Sequence, residues 1–187
     1  MEKLAYILHG TCDEEEYFSN KYPSPSNSHW LPWLQNQLLI QGYSCQTPEI
    51  PNSYKSYYND WENHFKIYPT NAETVLIGHS AGAGFFLKWL SKNPQHIKKL
   101  VMVAPFMDPK NIYADFLQCT LLDNLEKYIN EIHIFYSTDD DIEGVKETVD
   151  ILLDKYPSIK LHKFTDKLHF CLNDMGTDVF PELLKAI

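Results

Sequence analysis

Short, unbroken apolar runs alternate along the chain with segments whose apolar residues recur at helical spacing. Leu4–Leu8, Tyr43–Thr47, Thr74–Ile77, Leu100–Ala104, Ile132–Tyr136 and Ile159–Phe164 read as strands. Between them, Trp30–Ile40 carries Trp30, Leu31, Leu34 and Leu38 on one face and gives way at Gly42. Tyr54–Ile67 does the same with Tyr57, Tyr58, Trp61 and Phe65. Gly82–Leu90, Gly144–Asp154 and a tail from about Asp178 to Ala186 complete the predicted helices. Strands that are apolar throughout, instead of at every second residue, belong to a parallel sheet covered on both faces. Strand–helix alternation then predicts a three-layer α/β/α sandwich with a mostly parallel, doubly wound sheet. Two segments fit neither pattern, Thr11–His29 and Phe106–Glu131. Both follow the carboxyl ends of predicted strands, where open α/β sheets bind ligands.

Composition narrows this picture in three ways. A length of 187 residues suits one domain, 1–187, with an extensive core. The net charge is −9 and all sixteen basic residues are lysine. An acidic chain without guanidinium groups is poorly equipped for phosphate backbones, so neither nucleic acid nor an anionic membrane is expected as a partner. Cys12, Cys45, Cys119 and Cys171 lie far apart with no C-x-x-C pair. The opening apolar stretch is too short for a signal peptide, and no apolar run nears the roughly 18 residues of a membrane span. The expectation is a cytoplasmic protein with reduced thiols.

Candidate chemistry centres on "TVLIGHSAGAGFF", Thr74–Phe86. Gly in a strand or helix interior costs roughly 0.5–1 kcal/mol relative to Ala, so packing alone does not explain glycines there. A buried strand, then Gly78-His79-Ser80-Ala81-Gly82, then an apolar helix is the setting of a nucleophile elbow. The turn forces its central residue into a strained conformation that exposes Oγ, and the flanking glycines avoid Cβ collisions. A serine hydroxyl also needs a base and a group to orient that base. In this architecture they follow in the order Ser, Asp or Glu, His, each after a later strand. "STDDD" after the fifth strand offers Asp139, Asp140 and Asp141, and "TDKLHF" after the sixth offers His169.

The oxyanion that develops in acyl transfer needs donors. The backbone N–H of Ala81 supplies one, and the turn "HGT" the second through Thr11, with Cys12 as its substitute. Elements expected to overhang the elbow carry Trp30, Trp33, Phe106 and Met107, which predicts a small aromatic acyl pocket. His79 reads as part of the elbow, His9 as shaping the first turn, and His162 as a structural strand residue. His29, His64, His96 and His133 have no catalytic context. No H-E-x-x-H or other clustered ligand set occurs, so no metal is assigned.

"YILHG", "HWLPWL", "GHSAGA", "STDD" and "LHKFTDKLHF" together resemble the small serine hydrolases related to retinoblastoma-binding protein nine, within the α/β-hydrolase superfamily. The likeness runs along nearly the whole chain. It implies a compact domain with little or no cap, a Ser80–Asp140–His169 triad, and ester or amide hydrolysis through an acyl-enzyme without a cofactor. The family position favours Asp140 over its neighbours, although Asp141 stands where the family has proline and Leu168 where it often has glycine. Asp140-x-x-Glu143 also reads as a helix-capping box with no catalytic meaning. The namesake's L-x-C-x-E partner motif is incomplete here at "LQCTL", so that partner does not carry over. The expected reading is a serine hydrolase of a small-molecule ester or amide, with no protein partner identified. A thioesterase or acyltransferase with the same triad, and a non-catalytic binding module on this fold, are the alternatives.

Overall fold

A computed structural model describes residues 1–113 and 116–187. Its strands are β1 (Leu4–Leu8), β2 (Ser44–Gln46), β3 (Val75–His79), β4 (Ile97–Val103), β5 (Ile129–Ser137) and β6 (Lys160–Phe164). They form one sheet in the order β2-β1-β3-β4-β5-β6. Every neighbouring pair is parallel, with Ile7 opposite Ile77 and Ile77 opposite Val101 in the central registers. All five residues of β1 and all five of β3 are buried, as continuous apolar runs require. The edge strand β6 is apolar in sequence only in part, and it alternates between exposed and half-buried positions.

The helices are α1 (Glu14–Tyr17), α2 (Leu31–Ile40), α3 (Tyr58–Phe65), α4 (Ala81–Lys92), α5 (Val145–Lys155), α6 (Leu172–Met175) and α7 (Pro181–Lys185). The predicted helix over Tyr54–Ile67 thus begins four residues later, because residues 51–55 fold into turns. The predicted strand over Tyr43–Thr47 shrinks to three residues, and β5 extends three residues before Ile132 and one beyond Tyr136. None of these helices is long and apolar enough to cross a membrane among the described residues.

Ten consecutive residues of α4, Ala81 to Leu90, are buried, so this helix is covered on all sides. The sheet covers one side. Trp61 and Phe65 of α3 cover another, with ring centroids 5.1–5.7 Å from Phe85, Phe86 and Trp89. The segment from Phe106 to Glu131 supplies part of the remaining cover. Its residues 114 and 115 lie outside the described residues, but Phe116 and Leu117 are fully buried beside α4. Phe116 packs on Trp61 at 5.2 Å and its carbonyl accepts from Lys88 Nζ at 3.1 Å. These contacts make this part of the segment a wall of the core.

The chain leaves β1 toward β2 on one side and returns to β3 on the other. That reversal opens a crevice at the carboxyl ends of β1 and β3, where ligands bind in doubly wound sheets.

Candidate active site

The carboxyl end of β3 meets the first turn of α4 at Ser80, whose backbone is held at φ 53° and ψ −121°. A non-glycine residue there is strained by order 1–3 kcal/mol, and persists only where its surroundings over-determine it. They do so here. Ser80 N–H donates to Val103 O at 2.9 Å, while its carbonyl accepts from Ala83 at 3.0 Å and Phe106 at 3.2 Å. The flanking glycines are steric requirements. A Cβ on Gly78 would lie 2.5 Å from the Ala83 backbone, and one on Gly82 would lie 2.4 Å from His9 O. Both clashes are with main chain, which cannot rotate aside.

After β5, the "STDDD" loop separates its three carboxylates. Asp140 accepts from His169 Nδ1 with both oxygens, at 3.0 and 3.2 Å. The Asp140 side chain is 1% exposed and that of His169 13%. Because a carboxylate accepts, the imidazole proton lies on Nδ1 and leaves Nε2 basic. Asp139 instead accepts from Ser137 Oγ at 2.5 Å and from Leu168 N–H at 3.2 Å, and the Ser137 hydroxyl holds its carboxyl below the usual range. It braces the loop that carries His169 without touching the ring. Asp141 is exposed. The capping box does not form, since Glu143 pairs with Lys110 and α5 begins after Gly144.

Leu168, immediately before His169, sits at φ 43°. That left-handed geometry explains why glycine suits the position, and the Leu168 N–H bond to Asp139 helps hold leucine there. His169 N–H donates to Asp174 Oδ2 at 3.2 Å and its carbonyl accepts from His79 Nε2 at 2.8 Å. A carbonyl only accepts, so His79 carries its proton on Nε2. Burial pushes its pKa well below the ordinary value, keeping the ring neutral. His79 therefore ties the elbow to the backbone of His169.

Ser80 and His169 line one cavity of about 150 Å³, with His9, Gly10, Thr11, Cys12, Glu16, Pro25, Ser28, His29, His79 and Cys171. Ser80 and His169 share this cavity without a hydrogen bond between them. Gly10 brings the first turn against the elbow, since a Cβ there would lie 3.0 Å from Ser80 Cβ. Ala81 opens α4, so its amide has no partner in a preceding helical turn. The amides of Thr11 and Cys12 make no hydrogen bond among the described residues. Thr11 and Cys12 line the same cavity as Ser80, and Ala81 follows it directly in the chain.

The predicted aromatic pocket is corrected. Trp30, Trp33, Phe106 and Met107 do not line this cavity. Trp30 is fully buried against His79 and Phe180, and Trp33 packs on the core. Phe106 is buried beneath Gly84 and Gly144, and Met107 faces a separate cavity beside α5. Aromatic residues that looked like overhangs were recruited by the core because burying each stabilises the fold by about 1.5–3 kcal/mol. The walls instead come from the loop after β1, and His29 among them lacked catalytic context in the sequence. Only the position of that loop, after a strand at the ligand-binding edge, signalled a role.

Burial and the Asp174 carboxylate push the Cys171 thiol up to about 12, and burial raises that of Cys12. Both thiols stay protonated at neutral pH. A larger cavity of about 650 Å³, walled by Tyr58, Lys88, Lys92, Phe116 and Cys119, contains none of Ser80, Asp140 or His169. Among the described residues no group of three or more His, Cys, Asp and Glu side chains is placed to hold a metal ion.

The sequence matches the hydrolase family described as serine aminopeptidase, S33, over residues 41–171, the stretch that carries the elbow and both loops. The chain belongs to that family. YdeN of Bacillus subtilis (strain 168) is 30% identical over 92 residues, which span 48% of this chain and 43% of YdeN. The crystal structure of the ydeN gene product superposes with a TM-score of 0.81 at 23% identity, covering 98% of this chain and 96% of that one. The esterase domain of a Rhodothermus marinus protein gives 0.66 at 16% identity, over 98% and 84% of the two chains. Est1E from Butyrivibrio proteoclasticus gives 0.63 at 15%, over 100% and 89%. These likenesses show the α/β-hydrolase fold. The narrower kinship to retinoblastoma-binding protein nine rests on the motifs alone.

Proposed function

We propose that this protein is a serine hydrolase of small esters or amides, with Ser80 as nucleophile, His169 as base and Asp140 as the acid of the triad. The observation that carries this reading is the two-oxygen grip of Asp140 on His169 Nδ1, in a cavity shared with Ser80. Asp140 orients the ring and stabilises the imidazolium that forms as His169 Nε2 takes the Ser80 proton. Ser80 Oγ then bonds to the substrate carbonyl carbon. The oxyanion is met by Ala81 N–H and by Thr11 or Cys12 N–H. Collapse expels the leaving group, which takes the proton from His169. Water, deprotonated by the same ring, releases the acid from the acyl-enzyme.

The test is covalent labelling by a fluorophosphonate with the modified peptide identified by mass spectrometry. Ser80 is expected to be the labelled residue, and Ser80→Ala to lose both labelling and turnover of an aryl ester. Undiminished labelling of the variant would refute the assignment.

A further inference from the structure

The loop after β1 delivers His29 to the cavity at a positive φ of 58°, an uncommon conformation that histidine reaches more readily than most residues. Two contacts hold it. Its Nδ1 accepts from Leu172 N–H at 3.1 Å, the first amide of α6, and its ring lies 5.5 Å from that of His79. The fully buried Trp30 follows immediately and anchors the chain in the core. An acceptor at Nδ1 places the neutral ring's proton on Nε2. Burial, with His169 nearby, lowers the pKa of His29 despite the opposing Asp174 carboxylate, so the neutral form prevails at pH 7. Nε2–H has no hydrogen-bond partner within the protein among the described residues, and His29 is a wall of the cavity that holds Ser80.

A donor in a fixed tautomer, fixed at one ring atom and unused at the other, suits recognition of an acceptor on a ligand. The surrounding walls are mixed, with Thr11, Glu16 and Ser28 supplying polar groups beside Cys12, Cys171 and Pro25. A cavity of about 150 Å³ also admits an acyl group of only a few atoms.

We infer that His29 is a specificity-determining residue, donating Nε2–H to an oxygen carried by the acyl group of the substrate, which makes short hydroxy-, keto- or alkoxyacyl compounds preferred over plain alkanoyl ones. The inference rests on the Ser80 hydrolase reading and deepens it. A half-buried donor fixed beside the acyl group favours a substrate that carries an acceptor oxygen over the analogue that lacks it, by the worth of one hydrogen bond.

The probes are two nearly isosteric aryl esters, 4-nitrophenyl methoxyacetate and 4-nitrophenyl butyrate. The ratio of their kcat/KM values is divided by the ratio of their imidazole-catalysed rates, which removes the inductive effect of the ether oxygen. The informative variant is His29→Asn. Asn tolerates the left-handed backbone, and its Oδ1 can replace Nδ1 as acceptor for Leu172 N–H while nothing replaces Nε2–H. The parent protein should show a corrected ratio of about 5–10, the worth of one hydrogen bond, and His29→Asn a ratio near one. A parent ratio near one, or a ratio unchanged in His29→Asn, overturns the inference while leaving Ser80 labelling intact. Loss of fluorophosphonate labelling in the parent protein would bring down the hydrolase reading and this inference with it.

Discussion

Gly84 lies four residues beyond Ser80, in the interior of α4. Helix propensity alone predicts that Gly84→Ala stabilises the protein by up to about 1 kcal/mol. The structure predicts the opposite sign. A Cβ at this position would stand 2.0 Å from Phe106 O, 3.1 Å from Phe106 C and 3.0 Å from Leu117 Cδ1. Comfortable carbon contacts lie near 3.5–4.0 Å, so the Phe106 carbonyl would have to retreat by more than 1 Å. It has little freedom to do so. Phe106 N–H is bonded to Ser80 O at 3.2 Å, and Met107 N–H to Thr148 Oγ1 at 3.1 Å. Overpacking of this kind costs about 1–3 kcal/mol, which exceeds the propensity gain. Urea unfolding should therefore show a lower midpoint with an unchanged m-value. The displaced Phe106 also pulls on the Ser80 carbonyl, so aryl ester turnover should fall in the folded variant. A midpoint equal to or above that of the parent would refute the steric argument.

Two further outcomes follow from particular contacts. Asp140→Asn should lower aryl ester turnover by orders of magnitude with the fold intact, since it removes the acceptor for His169 Nδ1–H. Asp139→Asn should act chiefly through the loop it braces and lose much less; comparable losses in kcat for the two variants would refute this division of roles. Stability should fall as the pH drops below about 6.5, where unfolded histidines protonate, because His9, His79 and His133 are buried and their pKa values are lowered chiefly by burial. The unfolded state then binds more protons than the native one, giving a slope of up to about 1.4 kcal/mol per pH unit for each ring. Glu131, held down to about 2 mainly by Lys160, does not titrate in that window. Unfolding free energies that stay level from pH 7 to 5 would contradict this assignment.

What the chain declares locally, it declares well. Continuous apolar runs such as "LAYIL" and "VLIGH" are buried on both faces, and a parallel sheet covered on each side follows from them. The elbow was legible because it is a backbone constraint. Gly78 and Gly82 are demanded by main-chain atoms 2.4–2.7 Å from where a Cβ would be, and such demands leave glycines in the sequence. His169 and the acidic loop were legible from their order after later strands. Which of three adjacent carboxylates reaches the imidazole was open from spacing alone. Tertiary structure decided it, because the turn after β5 points Asp140 inward, Asp139 toward Ser137 and Leu168, and leaves Asp141 in solvent. The cavity walls were less legible still. An aromatic side chain has the same sequence signature whether it lines a pocket or fills a core, and only the packing of α4 and the loops sent Trp30 and Phe106 to the core. His29 enters through a long-range hydrogen bond to Leu172, 143 residues away, and no local pattern encodes a contact of that range.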